Sequence, residues 1–156
     1  MGSFRFIALP AERFSALFDR TDAELEAMGA RRMVVDEKPG FPCRVSLADA
    51  EVGETVVLVP FTHHDVPGPY RASGPIFIRS GASTATPAAD EIPLMFRHRL
   101  LSIRAYDEAA SMVSAEVVKG DELEATIQRL FANENASYLH IHNARPGCYN
   151  CRVIRV

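Results

Sequence analysis

Short apolar segments, several with alternating polar positions, recur along the chain and predict β-strands. The predicted strands occupy the segments FRFIALP, RRMVVDE, TVVLVPF, PIFIRS, LLSIRAYD, SMVSAEVV and YLHIHN. Most of the connections between the earlier segments are short enough for neighbouring strands to pair in opposite directions. The pattern therefore predicts a mixed, mostly antiparallel sheet.

A helical section is predicted after the first strand. Phe14, Leu17 and Phe18 follow the i, i+3, i+4 spacing of one helix face. Thr21 is then placed to cap a second short helix, because a glutamate three residues later completes a capping box. We expect these short helices to pack against the sheet.

The segment GDELEATIQRLFANEN gives the clearest helix prediction, with Asp121 as its expected N-cap. Leu123, Ile127, Leu130 and Phe131 lie on one face of this helix. The segments before and after it both read as strands, so we expect one βαβ-like crossover near the C-terminus. The predicted fold class is α+β, with a few helices.

Length and composition indicate one domain over residues 1–156. The hydrophobic fraction of 47% and the charged fraction of 24% are ordinary for globular proteins. A net charge of −3 argues against nucleic acid as a partner. No segment has the length of a membrane span, so no membrane association is expected, and the oligomeric state stays open.

The cysteines favour a reducing compartment. Cys43, Cys148 and Cys151 are an odd set that does not resemble the disulfide framework of a secreted domain. We therefore expect a cytoplasmic protein.

The strand YLHIHN places its polar residues on one face. Tyr138, His140 and His142 alternate with Leu139 and Ile141, so the apolar pair is expected to face the core. Two histidines at i and i+2 can bind one metal ion, and they can equally form a polar face whose hydrogen bonds are satisfied within the protein.

A zinc site with two cysteines and two histidines is the alternative to a metal-free site. Its four ligands would be His140, His142, Cys148 and Cys151. A two-residue turn at Pro146-Gly147 would split this set by placing Cys148 on the Ile141 face. Pro146 cannot adopt the positive φ of such a turn, so a wider loop or a bulge is expected and the faces stay open. We expect no cofactor, with zinc as the alternative.

Polar residues in two Gly/Pro-rich segments are candidates to bind a small anion, either a carboxylate or a phosphate. The predicted ligand-binding residues are Arg71, Ser73, Asn143 and Arg145. The predicted catalytic residues are His140, His142 and Cys148, as general acid–base groups and a nucleophile or pocket wall.

Three segments, DEKPGFPCRVSL, PYRASGPIFIR and HIHNARPGCY, resemble the bacterial domain of unknown function 1203 family. The resemblance implies a small, single-domain bacterial protein and brings no activity with it. Three functions therefore stay open: an enzyme acting on a small anion, a non-catalytic binding or sensor module, and a small zinc-binding structural domain.

Overall fold

Eight strands form two antiparallel sheets in the computed structural model, which describes residues 2–156. The strands are β1 (Phe4–Ile7), β2 (Arg31–Val34), β3 (Thr55–His64), β4 (Ala72–Arg79), β5 (Leu100–Tyr106), β6 (Met112–Lys119), β7 (Tyr138–Asn143) and β8 (Tyr149–Arg155). The first sheet has the order β1-β8-β7-β5-β6, and the second has the order β2-β3-β4. The α+β fold class is confirmed, with the antiparallel strands divided between two sheets.

The two α-helices are short. Helix α1 spans Asp22–Ala27 and begins with the predicted capping box of Thr21 and Glu24. Helix α2 spans Leu123–Phe131. The prediction of Asp121 as its N-cap is wrong, because a 3-10 turn precedes the helix and the cap position, Glu122, makes no capping hydrogen bond through its side chain.

The predicted crossover is present. Strands β6 and β7 each pair antiparallel with β5, so they run parallel to one another with β5 between them. Helix α2 connects them and packs its apolar face against the sheet. This connection is the β6-α2-β7 unit.

The two larger of three apolar cores lie in different parts of the molecule. The larger core packs α2 against one face of the five-stranded sheet and includes Leu139 and Ile141, as predicted. The second core packs the three-stranded sheet against the N-terminal helical section. Tyr149 of β8 belongs to this second core, so the other face of the five-stranded sheet meets the three-stranded sheet there.

None of the helices within residues 2–156 combines the length and the apolar character needed to cross a membrane.

Candidate functional site

Three rows of side chains cross the second face of the five-stranded sheet. Each row takes one residue from β5, one from β7 and one from β8. The rows are Tyr106–Tyr138–Ile154, Arg104–His140–Arg152 and Ser102–His142–Tyr149. Directly opposite residues on one face are close enough for their side chains to interact. The two predicted histidines therefore lie among arginines and aromatic rings.

The end of β3 brings two more histidines to this face. The ring centroids of His63 and His142 are 4.9 Å apart, and those of His64 and His140 are 5.0 Å apart. Consecutive residues of a regular strand point to opposite faces, so a regular β3 would not allow both contacts. The β3–β4 register shifts between Phe61 and His64, and this irregularity reorients the strand where it reaches the five-stranded sheet.

His63, His140 and His142 form a compact group that we call the histidine triad. One ring nitrogen from each residue lies within 4.8 Å of those from the other two. Tyr149 stacks on the His63 ring, with centroids 5.2 Å apart and ring planes 5° from parallel. The triad combines three imidazoles from two strands that are distant in sequence.

Each triad residue has a buried ring nitrogen with no hydrogen-bond partner within residues 2–156. The three atoms are His63 Nδ1, His140 Nδ1 and His142 Nε2. Leaving a buried polar atom unpaired costs about 1–3 kcal/mol, and such atoms are uncommon in native proteins. Three of them in one cluster point to a role that is not structural.

A backbone hydrogen bond fixes the tautomer of His142. Its Nδ1 lies 2.9 Å from the carbonyl oxygen of Gly147. A carbonyl oxygen only accepts, so Nδ1 carries the proton and the neutral ring has its lone pair on Nε2. Histidines that bind metals commonly donate their other ring N–H to such a carbonyl, which orients the ring and raises its basicity.

Burial keeps the triad uncharged. It lowers the pKa of His140 to about 2, that of His142 to about 3 and that of His63 to about 4. The positive charge of Arg104 lowers the pKa of His63 and of His142 further. All three rings are therefore neutral at pH 7, which is the form that binds metals.

The surroundings of the triad are positively charged. Arg104 and Arg152 lie on either side of His140 in the register of β5 and β8. Arg44 is fully buried, and its Nε donates to the carbonyl oxygen of Tyr149 at 2.8 Å. Burial lowers the pKa of Arg44 to about 10, so it stays charged at neutral pH.

A second set of aromatic residues surrounds His64. Its Nδ1 lies 2.8 Å from the carbonyl oxygen of Tyr70, and the Tyr138 hydroxyl lies 2.6 Å from its Nε2. Tyr106 stacks on Tyr138, with ring centroids 5.4 Å apart, and also contacts the ring of His140. Both nitrogens of His64 are occupied, so His64 supports the neighbouring rings and is not a free ligand.

The predicted residues of the first polar segment lie on the surface. Arg71 is exposed and pairs with Asp65, with Nε 3.2 Å from Oδ1. Ser73 is also exposed, and its hydroxyl lies 2.9 Å from that of Thr62. Neither side chain joins the histidine triad.

The predicted residues at the end of β7 and after it do not join the histidine triad, and two of them line a separate groove. Asn143 accepts a hydrogen bond from Asn150, and Arg145 is exposed. Both line an open groove of about 490 Å³ that also includes His98. Cys148 is half-buried, and its thiol is close enough to Arg44 to influence the pKa of that guanidinium.

The zinc set with two cysteines is wrong. Cys151 pairs with Ile141, and both side chains lie in the core beneath the sheet, on the face opposite the histidines. The expected bulge is present between Ile141 and His142, and it places Tyr149, rather than a cysteine, opposite His142. The four predicted ligands therefore do not converge.

Three contributors to the site were not predicted as site residues: His63, Arg104 and Arg152. The alternation of Ser102, Arg104 and Tyr106 in LLSIRAYD already indicated a polar strand face. The predicted strand TVVLVPF ends at Phe61, before His63, whereas β3 continues through His64. Only the three-dimensional structure could show that this strand reaches β7.

A sequence model of the family described as "Protein of unknown function (DUF1203)" matches residues 40–155. The chain belongs to the DUF1203 family. The matched part of this DUF1203 protein contains all three triad histidines as well as Arg104 and Arg152. Searches of curated proteins and of solved structures gave no match.

Proposed function

We propose that this DUF1203 protein binds a divalent transition-metal ion through His63, His140 and His142. The observation that carries the proposal is the convergence of three ring nitrogens within 4.8 Å, together with a buried, unpartnered nitrogen on each ring. Imidazole is a good ligand for zinc, copper, nickel and iron. This proposal revises the sequence-based expectation of no cofactor.

The spacing of the rings requires only a small adjustment on binding. Two nitrogens bound to one tetrahedral zinc ion lie about 3.4 Å apart, given zinc–nitrogen bonds of about 2.0–2.1 Å. Side-chain rotations that move the ring nitrogens by about 1 Å would bring the triad to that spacing. Because His142 is already oriented by Gly147, we expect His63, which is half-buried at the end of β3, to move most.

Acid–base chemistry by His140 and His142 without a metal is less well supported. A general acid or base works best when its pKa is near the operating pH. Burial holds the pKa values of these residues at about 2 and about 3. Metal binding requires the neutral imidazole, so the lowered pKa values favour it.

Three protein ligands leave one position of a tetrahedral ion open to water or to another ligand, as in catalytic zinc sites. The triad therefore supports a centre that binds a further molecule, in a carrier, a sensor or an enzyme. We place any catalytic role of His140 and His142 in this protein at that metal.

The experiment is a zinc titration of tag-free protein, with stoichiometry measured after gel filtration and melting temperature measured alongside. We expect one zinc per chain and a rise in melting temperature. Substituting His63→Leu or His142→Leu should abolish both effects. His98→Leu is the matched control, because His98 is exposed and lies outside the triad, and it should behave as wild type. Equal zinc binding by wild type and the triad variants would refute the site.

A second candidate function is the binding of a carboxylate or phosphate in the groove of Arg145, without metal. The observation in its favour is the lining of the groove, in which Arg145 and His98 lie beside Asn143 and the described lining includes no acidic residue. This proposal retains Asn143 and Arg145 as ligand-binding residues and predicts anion binding by metal-free protein.

A further inference from the structure

The charges nearest the histidine triad have one sign. Arg104 and Arg152 face His140 from the two neighbouring strands, and neither takes part in an ion pair between residues 2–156. Arg44 adds a fully buried guanidinium, whose Nε donates to the carbonyl oxygen of Tyr149, the residue opposite His142 on β8. A divalent ion bound there would increase this positive charge further.

The acidic residue that influences this cluster lies at its far end. Asp107 acts on Tyr138, where its negative charge raises the pKa of the phenol. One oxygen of the Asp107 carboxylate, Oδ1, accepts from the backbone amides of Ala109 and Ser111, each 2.9 Å away. Within residues 2–156 Asp107 makes no ion pair with Arg104 or Arg152.

The two flanking arginines differ in how they are held. Arg152 is exposed, and its guanidinium lies 4.5 Å from the centroid of the Tyr138 ring, so it is already engaged in a cation–π contact. Arg104 is half-buried on β5, where its guanidinium lies close enough to the Tyr106 phenol to influence the pKa of that group. Since one phenol oxygen can occupy only part of a guanidinium, Arg104 has donors available beside the triad. A guanidinium can offer two parallel N–H groups to one carboxylate or phosphate.

We propose that the open position of the triad metal takes a small oxyanion, either a carboxylate or a phosphoryl group, which Arg104 binds at the same time. This inference rests on the proposed metal site. One oxygen of the anion would bind the metal and another would accept from Arg104, so the anion would neutralise charge that the protein leaves uncompensated. The ligand class is thus set by residues of β5 and β7, away from the groove of Arg145.

The test uses protein loaded with one equivalent of Co²⁺, whose visible spectrum reports the ligands of the metal. Acetate and methylphosphonate are titrated separately at constant ionic strength, with chloride as the reference salt. We expect a saturable spectral change with at least one of the two probes. The probe that binds more tightly shows whether the site prefers a carboxylate or a phosphoryl group. Arg104→Lys should keep the metal and weaken the anion response at least tenfold.

Two further variants separate a binding role from a structural one. Arg104→Gln should abolish the anion response and, because it removes a like charge, tighten Co²⁺ binding measured without added anion. Arg97→Lys is the matched control, because Arg97 is exposed and lies outside both the triad and the groove of Arg145, and it should leave the spectral response unchanged. Failure to bind Co²⁺ would refute the metal site itself. Co²⁺ binding without an anion response, or an anion response unchanged in Arg104→Gln, would refute only this inference.

Discussion

Replacing His140 by leucine should stabilise the metal-free protein, although His140 is buried and most substitutions of buried residues destabilise. His140 Nδ1 is buried without a hydrogen-bond partner in the part of the chain that the structure describes. Removing such an atom relieves a penalty of about 1–3 kcal/mol. Leucine fills a similar space and places no polar atom on this face.

A smaller effect opposes this gain. The ring of His140 contacts those of Tyr106 and Tyr149, with centroids 5.3 and 5.0 Å apart. Each aromatic contact of this kind is worth about 0.5–1.5 kcal/mol, and leucine still packs against both rings, so losing the two contacts costs about 1 kcal/mol in total. The relieved penalty is about 2 kcal/mol at the middle of its range, so we expect His140→Leu to raise the free energy of unfolding by about 1 kcal/mol.

The assay is urea unfolding at pH 7.5 with a chelator present. With an m-value of about 1–3 kcal/mol/M, the midpoint of His140→Leu should rise by about 0.3–1 M. His98→Leu is the control and should change the free energy of unfolding by less than about 0.5 kcal/mol, because the His98 side chain is exposed where it contacts Asp49.

Zinc should reverse the order of stability. At a free concentration one hundred times the dissociation constant, zinc stabilises the wild type by about 2.7 kcal/mol, and it should leave His140→Leu unchanged. A metal-free His140→Leu protein that is less stable than wild type by about 1 kcal/mol or more would contradict the reasoning. It would mean that His140 makes structural hydrogen bonds, for example through ordered water.

Three further predictions concern the pH dependence of stability, the reactivity of Cys148 and anion binding at Arg145. The pKa values of His140 and His142 are lowered below the unfolded value of about 6.5, so the metal-free protein should have its full free energy of unfolding above that pH. As pH decreases towards 3, this free energy should fall by about 1.4 kcal/mol per pH unit for each of the two histidines. Urea midpoints between pH 7.5 and 5 should fall less steeply in His140→Leu, and equal slopes would count against burial of the neutral form. Cys148 should react with a neutral alkylating reagent faster than Cys43, because Cys43 is fully buried and Cys148 is half-exposed; peptide mass analysis of the modified protein decides this, and equal rates would show that exposure does not govern reactivity here. Arg145→Lys should weaken carboxylate or phosphate binding by metal-free protein without lowering its melting temperature; a variant that melts several degrees lower yet keeps any wild-type response would make Arg145 a structural residue.

The fold was predictable where the apolar pattern has a single interpretation. Alternation in YLHIHN placed Leu139 and Ile141 in the core and the histidines on the other face, and helical spacing located α2. The division into two sheets was not predictable, because strand patterns indicate which face is buried but not which strands become neighbours.

The site was only half predictable for a related reason. His140 and His142 are close in sequence, and their spacing alone indicated a possible metal site. His63 joins them through a contact between strands of different sheets. This contact depends on an irregularity in β3 that no glycine or other turn residue marks in the sequence. The arginines of the loops were predicted as anion ligands, whereas Arg104 lies within an apolar strand and only the β5–β7 register places it beside His140.

The most direct test of the proposed metal centre is anomalous diffraction from crystals of tag-free protein grown with one equivalent of zinc. Data collected above and below the zinc absorption edge should give a single strong difference peak on the polar face of the five-stranded sheet. We predict that it lies about 2.0–2.1 Å from one ring nitrogen each of His63, His140 and His142. A peak at His98 and Asp49 instead, or no peak within bonding distance of the triad, would contradict the account.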